Sequence, residues 1–404
     1  MGDEVISSED VDKVRGVVAG LGRAWTPMDV AQALTSIGRV ASDSTVLTVV
    51  EELRRTSSGA GRLEPLLALD GVTDVLVNGP DQVYIDRGRG LELTDTTFTS
   101  PDELRSLAVR LAAGVGRRLD DGCPWVDARL ADGTRVHAIL DVLAKPGTCL
   151  SLRVPARHRM SLDDWVMASS MTAETAHLLE QVVVRKLAFL VTGGTGSGKT
   201  TLLASLLGCV PAHERIVIVE DSRELSPDHE HVVSLEARAA NAEGRGQVSL
   251  TDLVRQSLRM RPDRVVLGEV RGAELRDMLM ALNTGHEGGC GTVHANGVQE
   301  VPARLEALAA LSGMNRPAAH AQVAAAFHLV LHLVRGPKDR RLAQIGVFEH
   351  VDGCAVVTQA LVFDEDLVCT PGPGAERLGD LVGEQTVSRV VQGQGRPRRA
   401  RRAA

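Results

Sequence analysis

Several side chains in this sequence are spaced for chemistry on a phosphate. The run "GGTGSGKTT" (Gly193, Gly194, Thr195, Gly196, Ser197, Gly198, Lys199, Thr200 and Thr201) fits G-x-x-x-x-G-K-[ST] at every required position from Gly193 to Thr200, after an apolar run "FLVT" and before "LLASLL". Its glycines let successive backbone N–H groups turn inward toward phosphate oxygens. Lys199 is placed to supply a point charge for β- and γ-phosphates, and the Thr200 hydroxyl can hold Mg²⁺. Such a loop binds a nucleoside triphosphate, and carboxylates decide whether the phosphate is also hydrolysed.

Glu220 and Asp221 close the apolar run "IVIVED", and Glu269 follows "RVVLG". In a parallel sheet, strand ends on the side of the phosphate loop line the ligand crevice, so the three acids are expected to converge on the metal and the attacking water. Capping of a following helix is the other role open to Glu220 and Asp221. Gly268 holds a slot where a nucleotide hydrolase usually carries a metal-binding aspartate. The glycine-rich passage "NTGHEGGCGTVHANG" brings in His286 and His294, one of them expected near the γ-phosphate as a sensor. No further ligands at zinc spacing accompany them. His229, His231, His328 and His332 read as structural.

The elements that must position these groups follow from periodicity. From about residue 172, a helical stretch, "TAETAHLLEQVVVRK", precedes short apolar runs alternating with helices: "LAFLVTG", "RIVIVED", "HVVSLE", "RVVLGEV", "GTVHAN" and "HLVLHLVR". Continuous apolar runs between helices indicate an α/β domain, 172–371, built on a mainly parallel sheet covered on both faces. Upstream, residues 1–60 show helical periodicity, and "TSSGAGRLE" (56–64) reads as a hinge. Strand-like runs with one helix mark a compact α+β domain at 62–155. Residues 156–171 read as a polar linker, and 372–404 as a low-complexity tail ending in "RPRRARRAA".

Composition narrows the class. The chain has 404 residues, 44% hydrophobic and 24% charged, as expected of a globular protein of two or three domains. No signal peptide is expected from its acidic start, and no apolar run approaches the ~20 residues that span a bilayer. Six scattered cysteines without a C-x-x-C pair fit a reducing cytoplasm. The net charge of −7 conceals five arginines in the last nine residues, which leave the preceding body at −12. That tail suits phosphates or an acidic membrane surface, or is a solvated end. Aromatic residues make up only 2% of the chain, too few for a base-stacking track, so direct nucleic-acid binding is not expected.

In one order, the phosphate loop, "VEDSREL", "RMRPDRVVLGEVRG" and "GTVHAN" resemble the Walker A, Asp box, Gly-Glu-ending Walker B and His box of the secretion-superfamily ATPases of type II secretion, type IV pili and type IV secretion. "SLEARAANAEGRGQVSLTDLV" and "VTDVLVNGPDQVYIDRG" resemble the tight-adherence (Flp, type IVb) pilus ATPases, in particular the actinobacterial branch labelled conjugal-transfer-associated. The resemblance covers roughly residues 60–355. It implies a RecA-like motor joined to a smaller N-terminal domain, six subunits in a ring, and ATP with Mg²⁺ bound between the domains.

By the same resemblance, Arg135 and Arg153 match arginine fingers, His294 the His-box histidine, and Arg271 the residue following the Walker B glutamate region. Arg255 or Arg259 are candidates to face a neighbour. Glu269 is then the general base or its orienter, Glu220 assists, and Thr200, Glu220 and Glu269 surround the metal. The implied setting is the cytoplasmic face of the inner membrane, with polytopic platform proteins as partners. A conjugative type IV secretion ATPase is the alternative, ahead of a direct DNA translocase or a nucleotide-gated scaffold.

Overall fold

The computed structural model describes residues 8–19, 26–57, 60–88, 90–155, 159–238, 240, 245–336 and 340–393. The chain divides into two compact units, Met1–Ala156 and Arg157–Ala404.

Unit 1 opens with three helices, α1 (Ser8–Ala19), α2 (Pro27–Ser36) and α3 (Asp43–Ser57). They bury Val14, Val30, Leu34 and Val49 against one another. A capping box starts α2: Thr26 accepts from Asp29 N, while the Asp29 carboxylate accepts from Thr26 N. The expected hinge is partly helical. A 3₁₀ turn at Gly61–Leu63 leads into α4 (Glu64–Ala68), and Leu63 is buried in the core of the sheet that follows.

That sheet comprises β1 (Asp74–Asn78), β2 (Val83–Asp86), β3 (Leu91–Leu93), β4 (Trp125–Arg129), β5 (Arg135–Ile139) and β6 (Cys149–Arg153), with α5 (Pro101–Gly114) inserted before β4. Its order is β3-β2-β1-β6-β5-β4, and all pairs are antiparallel. Val75, Val77, Val136, Ala138, Leu150 and Leu152 alternate toward Leu104, Leu107 and Leu111 of α5, and the other face mixes polar side chains such as Asp74, Arg135 and Arg153 with Leu76, Trp125 and Ile139.

Unit 2 begins with α6 (Leu162–Met167) and α7 (Ala173–Val184), then alternates β7 (Phe189–Gly193), α8 (Lys199–Leu207), β8 (Ile216–Glu220), β9 (Val232–Glu236), α9 (Leu250–Ser257), β10 (Arg264–Leu267), α10 (Glu274–Leu282) and β11 (Cys290–Val293). Helices α11 (Val301–Leu311) and α12 (Arg316–Ala326) precede the strands β12 (Leu329–Arg335), β13 (Arg340–Val351), β14 (Cys354–Phe363) and β15 (Cys369–Pro371), and α13 (Ala375–Val382) and α14 (Glu384–Gln392) follow.

The nine-stranded order is β15-β14-β13-β12-β7-β11-β10-β8-β9. The six strands from β12 to β9 are mutually parallel, as the apolar runs require, and β13 to β15 extend the sheet antiparallel. Successive β7 residues serve opposite faces: Phe189 and Val191 pack with α7 and α8, and Leu190, with Ala188 just before the strand, packs with α10, α11 and α12. Fold class is therefore α/β with a smaller α+β unit before it.

Two boundaries differ from expectation. The linker stretch 156–171 contains α6, whose start is a capping box between Ser161 and Asp164 and whose Trp165 is only 2% exposed. The stretch from 372 is no low-complexity tail as far as Gly393. Leu378, Val382, Val387 and Val390 fall at helical spacing and join the core beside α7. The arginine-rich end, 394–404, lies outside the described residues. Among the described residues no helix is long and apolar enough to cross a membrane.

Candidate functional site

Strand order explains which side chains meet. Parallel neighbours end on the same edge, and across that edge lie β7, β11, β10 and β8. After β7 comes the phosphate loop, after β11 His294, after β10 Gly268-Glu269, and β8 itself ends in Glu220. His286 precedes β11 and belongs to the opposite edge, so His294 is the histidine delivered to the loop.

The loop is shaped as a cradle. Gly193, Gly196 and Gly198 have φ of +149°, +70° and +96°. Helix α8 starts at left-handed Gly198 with no side-chain cap, as α10, α11, α13 and α14 also start without one, and it alone of these follows a run of positive-φ glycines. Its first N–H groups are therefore left for an anion, on the positive end of the helix dipole. A Cβ on Gly198 would press on Trp165 Cη2 (3.2 Å) and Arg340 Cδ (3.3 Å). Trp165 in turn donates its indole N–H to Ser205 Oγ of α8 (2.9 Å), and Ser205 donates to Met160 O (2.6 Å). The segment expected as a linker thus braces the phosphate-loop helix.

Lys199 is buried, and its ammonium reaches three acceptors: Gly193 O and Gly194 O at 3.0 Å each, and His294 Nδ1 at 3.4 Å. These match its three N–H bonds. Burial, together with the Arg271 charge, lowers the Lys199 pKa against the pull of Glu269. His294 Nε2 stands 3.0 Å from Glu269 Oε1, so a neutral ring donating at Nε2 and accepting at Nδ1 satisfies both neighbours. Burial and the Lys199 charge hold His294 below the ordinary histidine value, which favours that neutral form.

Glu269 also receives Arg271 Nη2 at 2.5 Å, and Arg271 Nη1 lies 3.6 Å from Asp221 Oδ2. Burial alone would raise the Glu269 pKa. The Arg271 hydrogen bond and charge, with the charge of Lys199 and that of His294 when it is protonated, outweigh it and leave the carboxyl below its usual range.

Glu220 answers the question posed by Gly268. It is 4% exposed, and its Oε1 accepts from Glu224 N (3.0 Å) and Leu225 N (2.9 Å). No helix follows β8, so the capping role expected there becomes anchorage of a loop. A Cβ on Gly268 would lie 2.5 Å from Glu220 Cγ and 3.1 Å from its Oε1. Position 268 must be glycine because the Glu220 carboxylate, from the neighbouring strand, fills the space that an aspartate there would take.

The other expected residues have partners of their own. Arg135 and Arg153 face each other across β5 and β6 on the exposed face of the unit 1 sheet, where Arg135 Nε meets Asp127 (3.4 Å) and Arg153 Nε meets Asp74 (3.2 Å). Arg129, beside Arg135 on β4, extends the row. Arg255 is tied to Asp277 (2.9 Å), and Arg259 donates to Arg255 O (2.8 Å). His229 and His328 have structural partners, Pro211 O and Ala188 N.

Sequence reasoning missed Trp165, Arg335 and Arg340 beside the loop. The box Ser161-x-x-Asp164 was a usable signal for the first, since it announces a helix start. The two arginines carried no local signal, because the pairing of β12 with β7 and with β13 is what brings them to the loop.

The family described as "Type II/IV secretion system protein" matches residues 56–363. A putative conjugal transfer protein of Mycobacterium tuberculosis is 52% identical over 318 residues, 77% of this chain and 90% of that protein. The type IV secretion system protein PtlH of Bordetella pertussis is 35% identical over 259 residues, 58% of this chain and 75% of that protein. Among solved structures, the pilus retraction motor PilT with bound ADP aligns with a TM-score of 0.50 at 19% identity, covering 83% of this chain and 90% of that one, a likeness of fold. With the family match running through both units and across the whole edge built by β7, β11, β10 and β8, the chain belongs to the type II/IV secretion system protein family.

Proposed function

We propose that this chain hydrolyses ATP to drive a type II/IV secretion or pilus machine. The observation that carries the proposal is the convergence of Lys199, His294, Glu269 and Glu220 on one sheet edge beside the uncapped start of α8. In this reading the phosphates of ATP take the α8 N–H groups and draw Lys199 away from Gly193 O, Gly194 O and His294. Glu269 accepts a proton from the attacking water or orients it, and Glu220 assists. The donors Thr200, Glu220 and Glu269 are hard oxygens suited to Mg²⁺, which when bound would offset charge on the β- and γ-phosphates. Arg135 and Arg153 are the proposed arginine fingers, and the row they form with Arg129 supports an anion-facing role for that surface.

The experiment is phosphate release from ATP. Lys199→Ala is expected to abolish nucleotide binding, and Glu269→Gln to retain binding while lowering kcat by at least ~100-fold, the lower range for loss of a general base. Hydrolysis by Glu269→Gln at the wild-type rate would remove Glu269 from the role.

For the machine, the resemblance of "VTDVLVNGPDQVYIDRG" to tight-adherence pilus ATPases supports a homohexameric motor at the cytoplasmic face of the membrane, coupled to polytopic platform proteins. A conjugative role is the second reading, favoured by the name of the mycobacterial relative. Copurification with a pilin and platform proteins supports the first, and with a relaxase the second. Strong stimulation of ATP hydrolysis by single-stranded DNA would replace both with a translocase.

A further inference from the structure

One buried histidine beside the site has no task in the steps above. His332 of β12 stands level with Thr192 of β7 on one side and Gln344 of β13 on the other. Residues paired directly across neighbouring strands project to the same face. His332 alternates with Leu331 and Leu333, which face α7 and α8, so the three polar side chains lie on the face toward α11 and α12. The two flanking ones hold the segment that follows His294. Thr192 Oγ1 donates to Ala295 O (3.3 Å), and Gln344 Oε1 accepts from Val298 N (3.2 Å). Two strand spacings make about 10 Å, a span that three residues of extended chain cover. The segment from Ala295 to Val298 therefore crosses β12 with Asn296 and Gly297 over His332. His332 is 4% exposed, and its Nδ1 is buried without a hydrogen-bond partner among the described residues. Burial lowers its pKa and favours the neutral ring, with one donor and one acceptor nitrogen. A buried polar atom left unpaired costs free energy, and folded proteins keep few of them.

We propose that His332 is a positioning residue for His294: its Nδ1 latches a backbone group of Asn296 or Gly297 in the arrangement in which His294 and Glu269 act on water. The latch rests on the hydrolytic reading of the site. Here Lys199 Nζ stands 3.4 Å from His294 Nδ1, and His294 Nε2 stands 3.0 Å from Glu269 Oε1. When the phosphates of ATP take Lys199, His294 loses one of these two side-chain partners, and the segment behind it must supply the restraint. Since the His332 nitrogen is unpaired while Lys199 holds His294, its contact belongs to the arrangement that follows. A backbone group settling onto Nδ1 fixes His294, and through His294 the Glu269 carboxylate. His332 touches no substrate, and a contact made only in the reacting arrangement acts on kcat rather than on affinity.

The test is steady-state phosphate release from ATP by the full chain and three variants, with unfolding temperatures measured without nucleotide. Asparagine carries its amide where Nδ1 stands, glutamine where Nε2 stands, and leucine fills the space with no polar atom. His332→Leu is expected to lower kcat and kcat/KM together by about tenfold, the order of one hydrogen bond, with KM for ATP unchanged. Its Tm should equal or exceed that of the unmodified chain, since an unpaired buried nitrogen is gone. His332→Asn should restore most of kcat and His332→Gln should not, a contrast that decides the question even if His332→Leu does not fold. Unmodified kcat in His332→Leu, or equal kcat in His332→Asn and His332→Gln, overturns the latch. So does a Tm lowered in His332→Leu with KM raised, the pattern of a purely structural histidine. Absence of ATP hydrolysis by the unmodified chain would overturn the hydrolytic reading and the latch with it, whereas the other outcomes leave that reading standing.

Discussion

Replacing Gly268 with alanine puts a methyl group where Glu220 already sits. The added Cβ would lie 2.5 Å from Glu220 Cγ and 3.1 Å from Oε1, inside any normal carbon–carbon contact. Glu220 cannot yield without loss, because its carboxylate holds Glu224 N and Leu225 N at 3.0 and 2.9 Å. Overpacking costs about 1–3 kcal/mol, and a hydrogen bond to a charged group about 1.5–3 kcal/mol. If one of the two anchoring bonds is lost and the strain partly relaxes, Gly268→Ala destabilises unit 2 by roughly 2–4 kcal/mol, or roughly 4–16 °C in Tm for a unit of this size. ATP hydrolysis should fall with it, since the displaced carboxylate is one of the proposed metal-side groups. Thermal unfolding by circular dichroism and a phosphate-release assay measure both. Truncating the obstacle supplies a control: Glu220→Ala combined with Gly268→Ala should be less destabilised than the sum of the single variants, a coupling expected of groups in contact. Wild-type Tm and activity in Gly268→Ala would refute the steric reasoning and return the glycine to an unexplained family feature.

Three further outcomes follow from individual contacts. Because His294 is held below the ordinary histidine value of about 6.5, its unfolded form takes up protons first, so its neutral state contributes stability above that pH that is lost on acidification. Glu269, also depressed, acts in the same direction at lower pH; His294→Asn should flatten the decline of Tm between about pH 7 and 5, and an unchanged slope would exclude His294 as its source. Trp165→Phe removes the indole bond to Ser205 and should cost about 1 kcal/mol in chemical denaturation, with a weaker Kd for ADP as the brace on α8 loosens. Glu214→Ala leaves Arg264, 1% exposed, without the partner 2.7 Å away and should cost about 3–5 kcal/mol, while the Kd for ADP at the far edge of the sheet stays at its original value.

Much of the site was legible because its signals are local. The phosphate loop, Glu220, Glu269 and His294 each follow an apolar run, and parallel pairing sends all such ends to one edge. Local signals also existed where the reading failed: "SLDDW" carries a capping box, and Leu378, Val382, Val387 and Val390 carry helical spacing beyond residue 372. Polarity and the nearby glycines and prolines masked both. Arg335 and Arg340 are different, since five positions in sequence say nothing of Gly196, more than a hundred residues upstream. Only the register Leu333 with Gly193 and Arg335 with Arg340 brings them there. Gly268 is of the same kind, because the residue that forbids a side chain at that position stands on another strand.

The contacts around Lys199 bear on how a base paired so closely to a cation could work. Lys199 spends its N–H bonds on Gly193 O, Gly194 O and His294, and Glu269 spends its oxygens on Arg271 and His294. Each cation here is satisfied by a group that phosphate oxygens would replace. The Arg271 hydrogen bond is the foremost influence lowering the proton affinity of Glu269. In the proposed reaction, a phosphate that attracts Arg271 releases the Glu269 oxygen that the guanidinium holds, and that oxygen can then accept from the attacking water. The carboxylate is thus occupied while the cations are its partners and becomes available as they turn to substrate. That order ties proton acceptance to nucleotide binding through side chains already in contact, without requiring any displacement of the sheet.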